Sequence, residues 1–322
     1  MQRLRSFYHK NKNTMWAIII IAIIVIGVVQ LLNRYTREET LKKLTEGNRT
    51  NSTGNSTIGI PVSEKDPVVS GGTISESEAI KNKNIINTFV EYCNDRDIQS
   101  AYDILTDECK EMFFPTIQDF FNNYYEKVFR EYKICDIQVW VVGNIGYTYK
   151  VVLMEDILAT GDIGQANTFT DYYTIIKTEE GEQKLNINRY IGRTEINKKG
   201  QSTNVTITVV SKDVFMDYEV YDFEVKNNTE KTILLDSKRS TDTVFLEDTK
   251  EVKYRSYMYE VDDVFLKLDG YMNRKVSIKF NKVYNPDRKI KYIIFTDIIL
   301  DYQEYLEQIE DYENIDKIAV GI

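Results

Sequence analysis

The sequence predicts an α+β protein that one membrane-spanning helix anchors in the membrane. Three features indicate this: an uncharged apolar run at residues 15–32, apolar residues at helical spacing between residues 75 and 130, and alternating apolar and polar residues over most of the later chain. Because the helical patterns come first and the strand patterns follow, we expect antiparallel sheets with helices packed on them, and no doubly wound parallel sheet.

The apolar run, MWAIIIIAIIVIGVVQLL, has the length of a transmembrane helix. The uncharged interval extends from residue 13 to residue 33. As a helix it would measure about 31 Å at about 1.5 Å per residue, which matches a hydrocarbon layer of about 30 Å. The run is apolar on every side and therefore needs lipid all around it. A buried core helix or strand is the alternative, but such segments are shorter. We predict a transmembrane helix at residues 15–33.

The charges that flank the run predict its orientation. Four cations and no acid precede it: Arg3, Arg5, Lys10 and Lys12. Acids accompany the cations after it, so the flanks favour a cytoplasmic segment at residues 1–14. A cleaved signal peptide is the alternative, but the run is longer than a typical signal core and residues 28–32 contain no small-x-small cleavage pattern. We predict a single-pass protein of the cell membrane with extracellular C-terminal domains.

The net charge excludes one class of partner. The chain of 322 residues carries −9, and removing the +4 of residues 1–14 leaves −13 on the rest. An acidic surface repels phosphate backbones. We therefore expect no nucleic-acid partner outside the membrane.

A polar tract separates the membrane helix from the first predicted domain. Residues 34–72 form the predicted linker, because its Ser, Thr, Asn and Gly residues cannot bury enough apolar surface to fold.

The α+β domain is predicted at residues 73–197. Ser75 and Glu78 have the spacing of a capping box at a helix start, and further helical stripes begin at Ile98 and after Thr116. Strand patterns follow at residues 134–142, 147–154 and 168–178, and a turn at 180–181 leads to a fourth strand that extends to 189.

This order of elements resembles a known superfamily. The segments IINTFVEYCNDRDIQSAYDILTDECKEMFF and FPTIQDFFNNYYEKVF, followed by four long strands, resemble nuclear-transport-factor-2-like domains over about residues 75–195. The resemblance implies a helix packed into a strongly bent sheet with a cone-shaped cavity. A membrane-anchored single copy is also similar to the assembly subunits of type IV secretion and Gram-positive conjugation machines.

A second, all-β domain is predicted at residues 203–300, after a boundary at residues 198–202. The segments YDFEVKNNTEKTILL and KVSIKFNKVY resemble immunoglobulin-like sandwiches of Gram-positive surface proteins. Short strand candidates at regular spacing support a sandwich: 204–211, 216–226, 232–236, 244–246, 251–258, 264–268, 275–280 and 291–297. The acidic tail at residues 301–322 is predicted either as a short docked helix or as a solvated end.

The residue types present exclude several chemistries. The only histidine is His9, on the predicted cytoplasmic side, so an extracellular Ser-His-Asp triad or His-liganded metal is excluded. No nucleotide-binding glycine motif occurs, and we predict no catalytic residue, cofactor or metal. Two acidic groups, Glu155-Asp156 with Asp162 and Asp262-Asp263 with Asp269, are more typical of strand ends and turns. The three cysteines are expected to be buried thiols, with a Cys93–Cys109 disulfide as the alternative.

Two sets of residues are candidates for function. The superfamily resemblance implies a tyrosine-lined cavity with a carboxylate, for which the candidates are Tyr102, Tyr124, Asp171 and Tyr172. The predicted function is nevertheless non-enzymatic assembly with other envelope proteins or with a second copy of the chain. The candidate interface is an exposed sheet face around Trp140, Tyr149 and Tyr173. The alternative hypothesis is a ligand-binding or sensor protein that uses the cavity.

Overall fold

The order of helices and strands agrees with the predicted α+β class. The computed structural model describes residues 70–155, 167–178 and 181–322. In these residues the helices precede most of the strands, and the sheets are mostly antiparallel. The predicted segments at residues 1–14 and 15–33 lie outside the described residues, as does the linker up to residue 69. No helix within the described ranges is long and apolar enough to cross a membrane.

The first helix begins where the cap motif predicts. Helix α1 (Glu76–Asn94) follows Ser75, whose hydroxyl accepts a hydrogen bond from the backbone N–H of Glu78. The next helical stripe divides into α2 (Ile98–Asp103) and α3 (Asp107–Phe113). The division occurs because Thr106 caps a new helix, its Oγ1 lying 3.0 Å from the backbone nitrogen of Cys109.

The third predicted helix contains a wider turn. Thr116 and Asp119 form a reciprocal capping box, which starts α4 (Ile117–Phe120). A π-helical turn (Phe121–Tyr125) then leads into α5 (Glu126–Val128). The wider turn places both Tyr124 and Tyr125 in the core.

Five strands form the sheet beneath these helices. Their order is β1-β2-β3-β4-β5, and only β1 is parallel to its neighbour. The strands are β1 (Ser70–Gly71), β2 (Lys133–Val142), β3 (Tyr147–Glu155), β4 (Thr168–Lys177) and β5 (Gln183–Asn186). A bulge at Trp140 shifts the pairing of β2 with β3. Val139 therefore packs towards the helices, while Trp140 and Val141 both pack on the opposite side.

The predicted domain boundary at residues 198–202 falls on a continuous strand. Strand β6 (Tyr190–Gln201) pairs with β7 (Val205–Phe215) up to the Gln201–Thr206 pair, so residues 190–201 belong to the following sheet. Lys198 and Lys199 resemble a linker by composition, but they are exposed side chains of this strand. All of the described residues belong to one compact unit.

Two further sheets pack against each other around one core. The first has the order β13-β8-β7-β6, and the second has the order β11-β10-β14-β9-β12, with β15 also paired to β14. Phe223 of the first sheet meets Phe295 of the second with ring centroids 5.6 Å apart. The remaining strands are β8 (Glu219–Asn227), β9 (Ile233–Leu234), β10 (Val244–Asp248), β11 (Lys253–Arg255), β12 (Lys267–Leu268), β13 (Asn273–Phe280), β14 (Ile290–Ile299) and β15 (Ile315–Gly321).

Two predicted elements of the C-terminal region differ from the structure. The predicted strand at residues 264–268 is mostly a short helix, α6 (Asp263–Leu266), because the Asp262 carboxylate accepts from the backbone N–H of Val264. The tail forms a short helix, α7 (Tyr302–Glu307), which was one of the two predicted alternatives, and a strand that was not predicted follows it. Strand β15 adds to the second sheet and buries Ile318 and Val320.

Candidate functional site

The structure brings Tyr124 and Asp171 together, as the cavity prediction requires. The Tyr124 hydroxyl lies 3.0 Å from Asp171 Oδ2 and 2.7 Å from the hydroxyl of Tyr173. All three side chains are at most 3% exposed. They form a buried polar group between the helices and the first sheet.

Hydrogen bonds to the backbone occupy the Asp171 carboxylate. Oδ1 accepts from the N–H groups of Tyr172 (2.7 Å) and Arg189 (3.0 Å), and Oδ2 accepts from Asn188 (2.9 Å) as well as from Tyr124. Asn188 and Arg189 adopt left-handed backbone conformations, with φ of 59° and 62°. The carboxylate therefore holds the turn that leads from β5 into β6.

Burial raises the pKa values of the groups in this cluster. For Asp171 burial is the main cause, and the three backbone N–H groups and Tyr124 act against it. Burial also raises the pKa values of Tyr124 and Tyr173 well above the usual value, and the nearby Asp171 charge adds to both. Both hydroxyls therefore remain protonated and serve as hydrogen-bonding groups.

Aromatic side chains fill the space that the superfamily resemblance describes as a cavity. Phe120 stacks on Tyr124 with ring centroids 6.0 Å apart, and Phe89 meets Tyr173 edge-on at 5.7 Å. Further rings close the remaining sides: Phe114 and Phe129. Because Asp171 is itself only 2% exposed, the described residues leave it no open path to a substrate along this face.

Of the other two cavity candidates, Tyr102 is one ring away from the polar group, packing on Phe120 with centroids 5.9 Å apart, and Tyr172 lies on the opposite face of the sheet. Tyr102 belongs to the helical layer, where its hydroxyl donates to the carbonyl oxygen of Phe114 at 2.8 Å. Tyr172 follows Asp171 on a strand and therefore faces the opposite side of the sheet. There its ring meets Trp140 with centroids 5.6 Å apart. The prediction that Tyr172 lines the cavity is wrong.

The predicted interface is also wrong for two of its three residues. Tyr149 and Tyr173 are cross-strand partners on the face that the helices cover, and both are fully buried. The amide of Asn82 donates to the Tyr149 hydroxyl at 3.0 Å. Trp140 lies on the other face, half-buried. The bulge at Trp140 changes which side chains share a face, so the three residues cannot form one exposed surface.

The surroundings of Trp140 are partly filled by the later sheets. Val141, Ile191 and Val214 form a small core there with Met216 and Tyr284. The Lys150 ammonium lies 5.4 Å from the Trp140 ring, and the Arg189 guanidinium lies 5.8 Å from the Tyr172 ring. Only the outer part of this aromatic pair remains accessible.

The cysteines are free thiols. Cys93 and Cys109 are fully buried and Cys135 is half-buried, and no disulfide joins Cys93 to Cys109 in this structure, contrary to the alternative. Burial raises the pKa of all three, to about 12 for Cys109 and about 11 for Cys135. Thiols with such pKa values are poor nucleophiles at neutral pH.

The acidic residues that the sequence singled out make hydrogen bonds or ion pairs within the protein wherever the structure describes them. Asp262 caps α6, Asp263 lies 2.6 Å from the Lys238 ammonium, and Asp269 accepts from the Thr232 hydroxyl. Glu155 pairs with Lys133 at 3.0 Å. Within the described ranges, no group of three acidic, histidine or cysteine side chains is placed to hold a metal. Asp156 and Asp162 lie outside the described residues.

A surface that the sequence did not single out carries several exposed apolar residues. These residues lie along β13, an outer strand of its sheet, and each side chain is more than half exposed: Tyr259, Val264, Phe265, Tyr271 and Met272. We call them the edge patch.

Residues on and beside β13 contact two members of the edge patch. The Arg274 guanidinium donates to the carbonyl oxygen of Val264. A groove of about 450 Å³ runs beside β13, lined by Phe265, Tyr257 and Lys275 among others. The Tyr257 ring meets that of Tyr259 at 5.7 Å. Apolar patches on an otherwise charged surface are typical of protein interfaces.

Comparisons with known proteins identify no relative. No protein-family model, curated protein or solved structure matches this chain. The superfamily resemblances are therefore predictions, and function has to be argued from the residues.

Proposed function

We propose that the chain is a non-enzymatic, bitopic membrane protein whose extracytoplasmic part is an assembly or scaffold subunit. The proposal places a nuclear-transport-factor-2-like domain and an immunoglobulin-like sandwich outside the membrane, after the predicted helix at residues 15–33. A Gram-positive conjugation or type IV secretion complex is its most specific form. Its partners would be other envelope proteins or a second copy of the chain.

The state of Asp171 is the observation that supports this proposal best. A general base needs a free lone pair beside the substrate, but this carboxylate accepts three backbone hydrogen bonds and one from Tyr124. The described aromatic side chains around it keep the carboxylate buried. The same filling also argues against the alternative, a sensor that binds its ligand in this cavity.

The edge patch supports a binding role. Its aromatic and aliphatic side chains lie beside an outer strand, next to a groove that both cations and acids line. Residues 255–257 pair with the end of β13, so the support comes from the exposed apolar side chains and not from a free strand edge. We infer that the edge patch contacts the assembly partner, in place of the face around Trp140.

Site-specific photocrosslinking in intact membranes tests the proposal. A photoreactive amino acid replaces Val264 in the full chain, and another replaces Ile80, an exposed control residue on α1. We expect position 264 to give a crosslinked species above the monomer mass, whose second component is an envelope protein or another copy. Position 80 should give none. Phe265→Ser should reduce the crosslink by removing apolar contact area. A chain that remains monomeric at position 264 contradicts the proposal.

A further inference from the structure

A cavity of about 290 Å³ lies beside strand β7, between the β2–β3 turn and the loop that joins β13 to β14. Four cations and one carboxylate line it: Lys212, Lys282, Arg288, Lys289 and Glu219. The excess of positive charge is unexpected in a chain whose net charge is −9. Clefts lined by one sign of charge concentrate ligands of the opposite sign.

Two of the charged side chains in the cavity, Lys282 and Glu219, form a buried ion pair with each other. The Lys282 ammonium lies 2.7 Å from Glu219 Oε1, and both side chains are at most 3% exposed. The hydroxyl of Tyr221 donates to Glu219 Oε2 at 2.8 Å. Glu219 is therefore fully engaged by these two neighbours.

Lys212 is only partly neutralised by the same carboxylate. Its ammonium lies 3.9 Å from Glu219 Oε1, which is beyond hydrogen-bonding distance, and the side chain is mostly buried. The described part of the chain offers this ammonium no hydrogen-bond acceptor. Burial lowers the pKa of Lys212, Glu219 opposes that effect, and the Lys282 charge adds to it. An additional anion in the cavity would stabilise the charged form.

Of the two remaining cations, one has a carboxylate partner and the other has none among the described residues. Arg288 is paired with Asp248 at 3.1 Å. Lys289 is exposed, and no ion pair joins it to another described residue. Two ammonium groups, Lys212 and Lys289, therefore face the cavity without a full counter-charge. A phosphate monoester carries about −1.5 to −2 at pH 7 and three acceptor oxygens, which suits this pair.

Apolar side chains line another part of the cavity. Ile145, Val214, Tyr284 and Pro286 contribute, and Val214 and Tyr284 are buried. A bare phosphate ion would leave this surface uncovered. An ester whose substituent is small and apolar would cover it.

We propose that this cavity binds a phosphate monoester, with Lys212 and Lys289 at the phosphate and the apolar side chains at the substituent. The proposal is independent of the assembly function, because the cavity and the edge patch share no residue. The phosphate group could belong to a soluble ester or to a lipid, and the two sources share this chemistry.

Calorimetric titration of the detergent-solubilised full chain tests the site. Phenyl phosphate should bind saturably, and about tenfold or more tightly than benzoate, which has the same ring but only one negative charge. Inorganic phosphate should bind more weakly than phenyl phosphate. Dihexanoyl phosphatidic acid in the same titration distinguishes the sources: tighter binding than phenyl phosphate indicates a lipid, and weaker binding indicates a soluble ester.

Matched variants connect binding to the cavity. Lys212→Met keeps the length of the side chain and should weaken phenyl phosphate binding about tenfold or more. Lys226→Met, an exposed lysine of the neighbouring strand β8 outside the cavity, should leave binding unchanged. Lys289→Met should also weaken binding, and its exposed position protects the fold if Lys212→Met is unstable. No saturable binding of phenyl phosphate, or equal binding by the wild-type chain and both cavity variants, overturns the proposal.

Discussion

At the scale of single residues, buried carboxylates act as backbone anchors. Asp171 and Asp248 are each at most 2% exposed, and each accepts several hydrogen bonds from backbone N–H groups. Both contact a turn that contains left-handed residues, since Asn188, Arg189 and Glu251 have positive φ. Such turns have no regular secondary-structure partner, so a carboxylate supplies the missing acceptors.

The first prediction concerns Asp171→Asn. The amide keeps the shape, but its NH₂ group faces N–H or O–H donors in place of one acceptor oxygen. Each buried group left without a partner costs about 1–3 kcal/mol, so we expect the free energy of unfolding to fall by about 2 kcal/mol or more. Urea unfolding followed by circular dichroism measures it. Asp136→Asn, an exposed carboxylate on β2, is the control. A loss no larger than that of the control contradicts the anchoring role.

The second prediction is a pH dependence that Asp248 causes. Burial alone would raise the pKa of this carboxyl, but hydrogen bonds from Val252, Lys250, Tyr254 and Arg288 lower it to about 2. The folded-state pKa therefore lies below the unfolded value of about 3.9. The contribution to stability is present above about pH 4 and is lost as the pH falls towards 2.

Unfolding of wild type and Asp248→Asn at a series of pH values checks this. The stability difference between the two proteins should be large and constant from pH 7 to pH 5, and should shrink as the pH approaches 3. Asp287→Asn removes an exposed carboxylate from the nearby loop and should show no such trend. A wild-type advantage that stays constant down to pH 3 is incompatible with a lowered pKa.

Much of the residue-level arrangement follows from strand alternation. Along β4, Asp171 and Tyr173 are two residues apart and must share a face, while Tyr172 must face away. Alternation alone could therefore have excluded Tyr172 and included Tyr173 in the polar cluster. The left-handed turn at Asn188 and Arg189 could not be predicted, because neither residue is glycine and no local motif requires positive φ there.

At the scale of elements, sequence predicts local signals well and distant pairing poorly. The caps at Ser75 and Thr116 fix two helix starts, because a side chain and a backbone N–H three residues later satisfy each other. Strand β15 has only a short alternation, Ile318 and Val320, after a long acidic stretch. Its place is decided by β14, more than fifteen residues earlier in the chain. Non-local pairing of this kind leaves little trace in one sequence.

The third prediction tests how closely β15 lies on β6. A Cβ added at Gly200 would lie 2.8 Å from a methyl carbon of Val320 and 3.1 Å from the carbonyl oxygen of Ala319. Gly200→Ala should therefore displace β15, lower the free energy of unfolding by about 1–3 kcal/mol, and speed amide exchange over Ile315–Gly321. At Gly72 an added Cβ meets nothing within 4 Å, so Gly72→Ala serves as the control. Unchanged exchange in β15 contradicts the close contact.

At the scale of the whole molecule, the decisive prediction is the side of the membrane on which the folded part lies. The apolar run at residues 15–32 and the cations before it predict the extracellular side. The edge patch and the cavity beside β7 can meet extracellular ligands only if this orientation is right. The question can be answered by labelling added cysteines, because the native cysteines react slowly. Two of them are fully buried, and burial raises the pKa of all three.

The fourth prediction uses single added cysteines and a membrane-impermeant maleimide on intact cells. Ile80→Cys, at an exposed position of α1 outside the edge patch, should be labelled at once. Ser6→Cys, in the predicted cytoplasmic segment, should be labelled only after permeabilisation. The wild-type chain gives the background, which should stay low until denaturant exposes the buried thiols. Labelling of Ser6→Cys in intact cells, or protection of Ile80→Cys until lysis, would reverse the orientation and remove the basis for an extracellular assembly role.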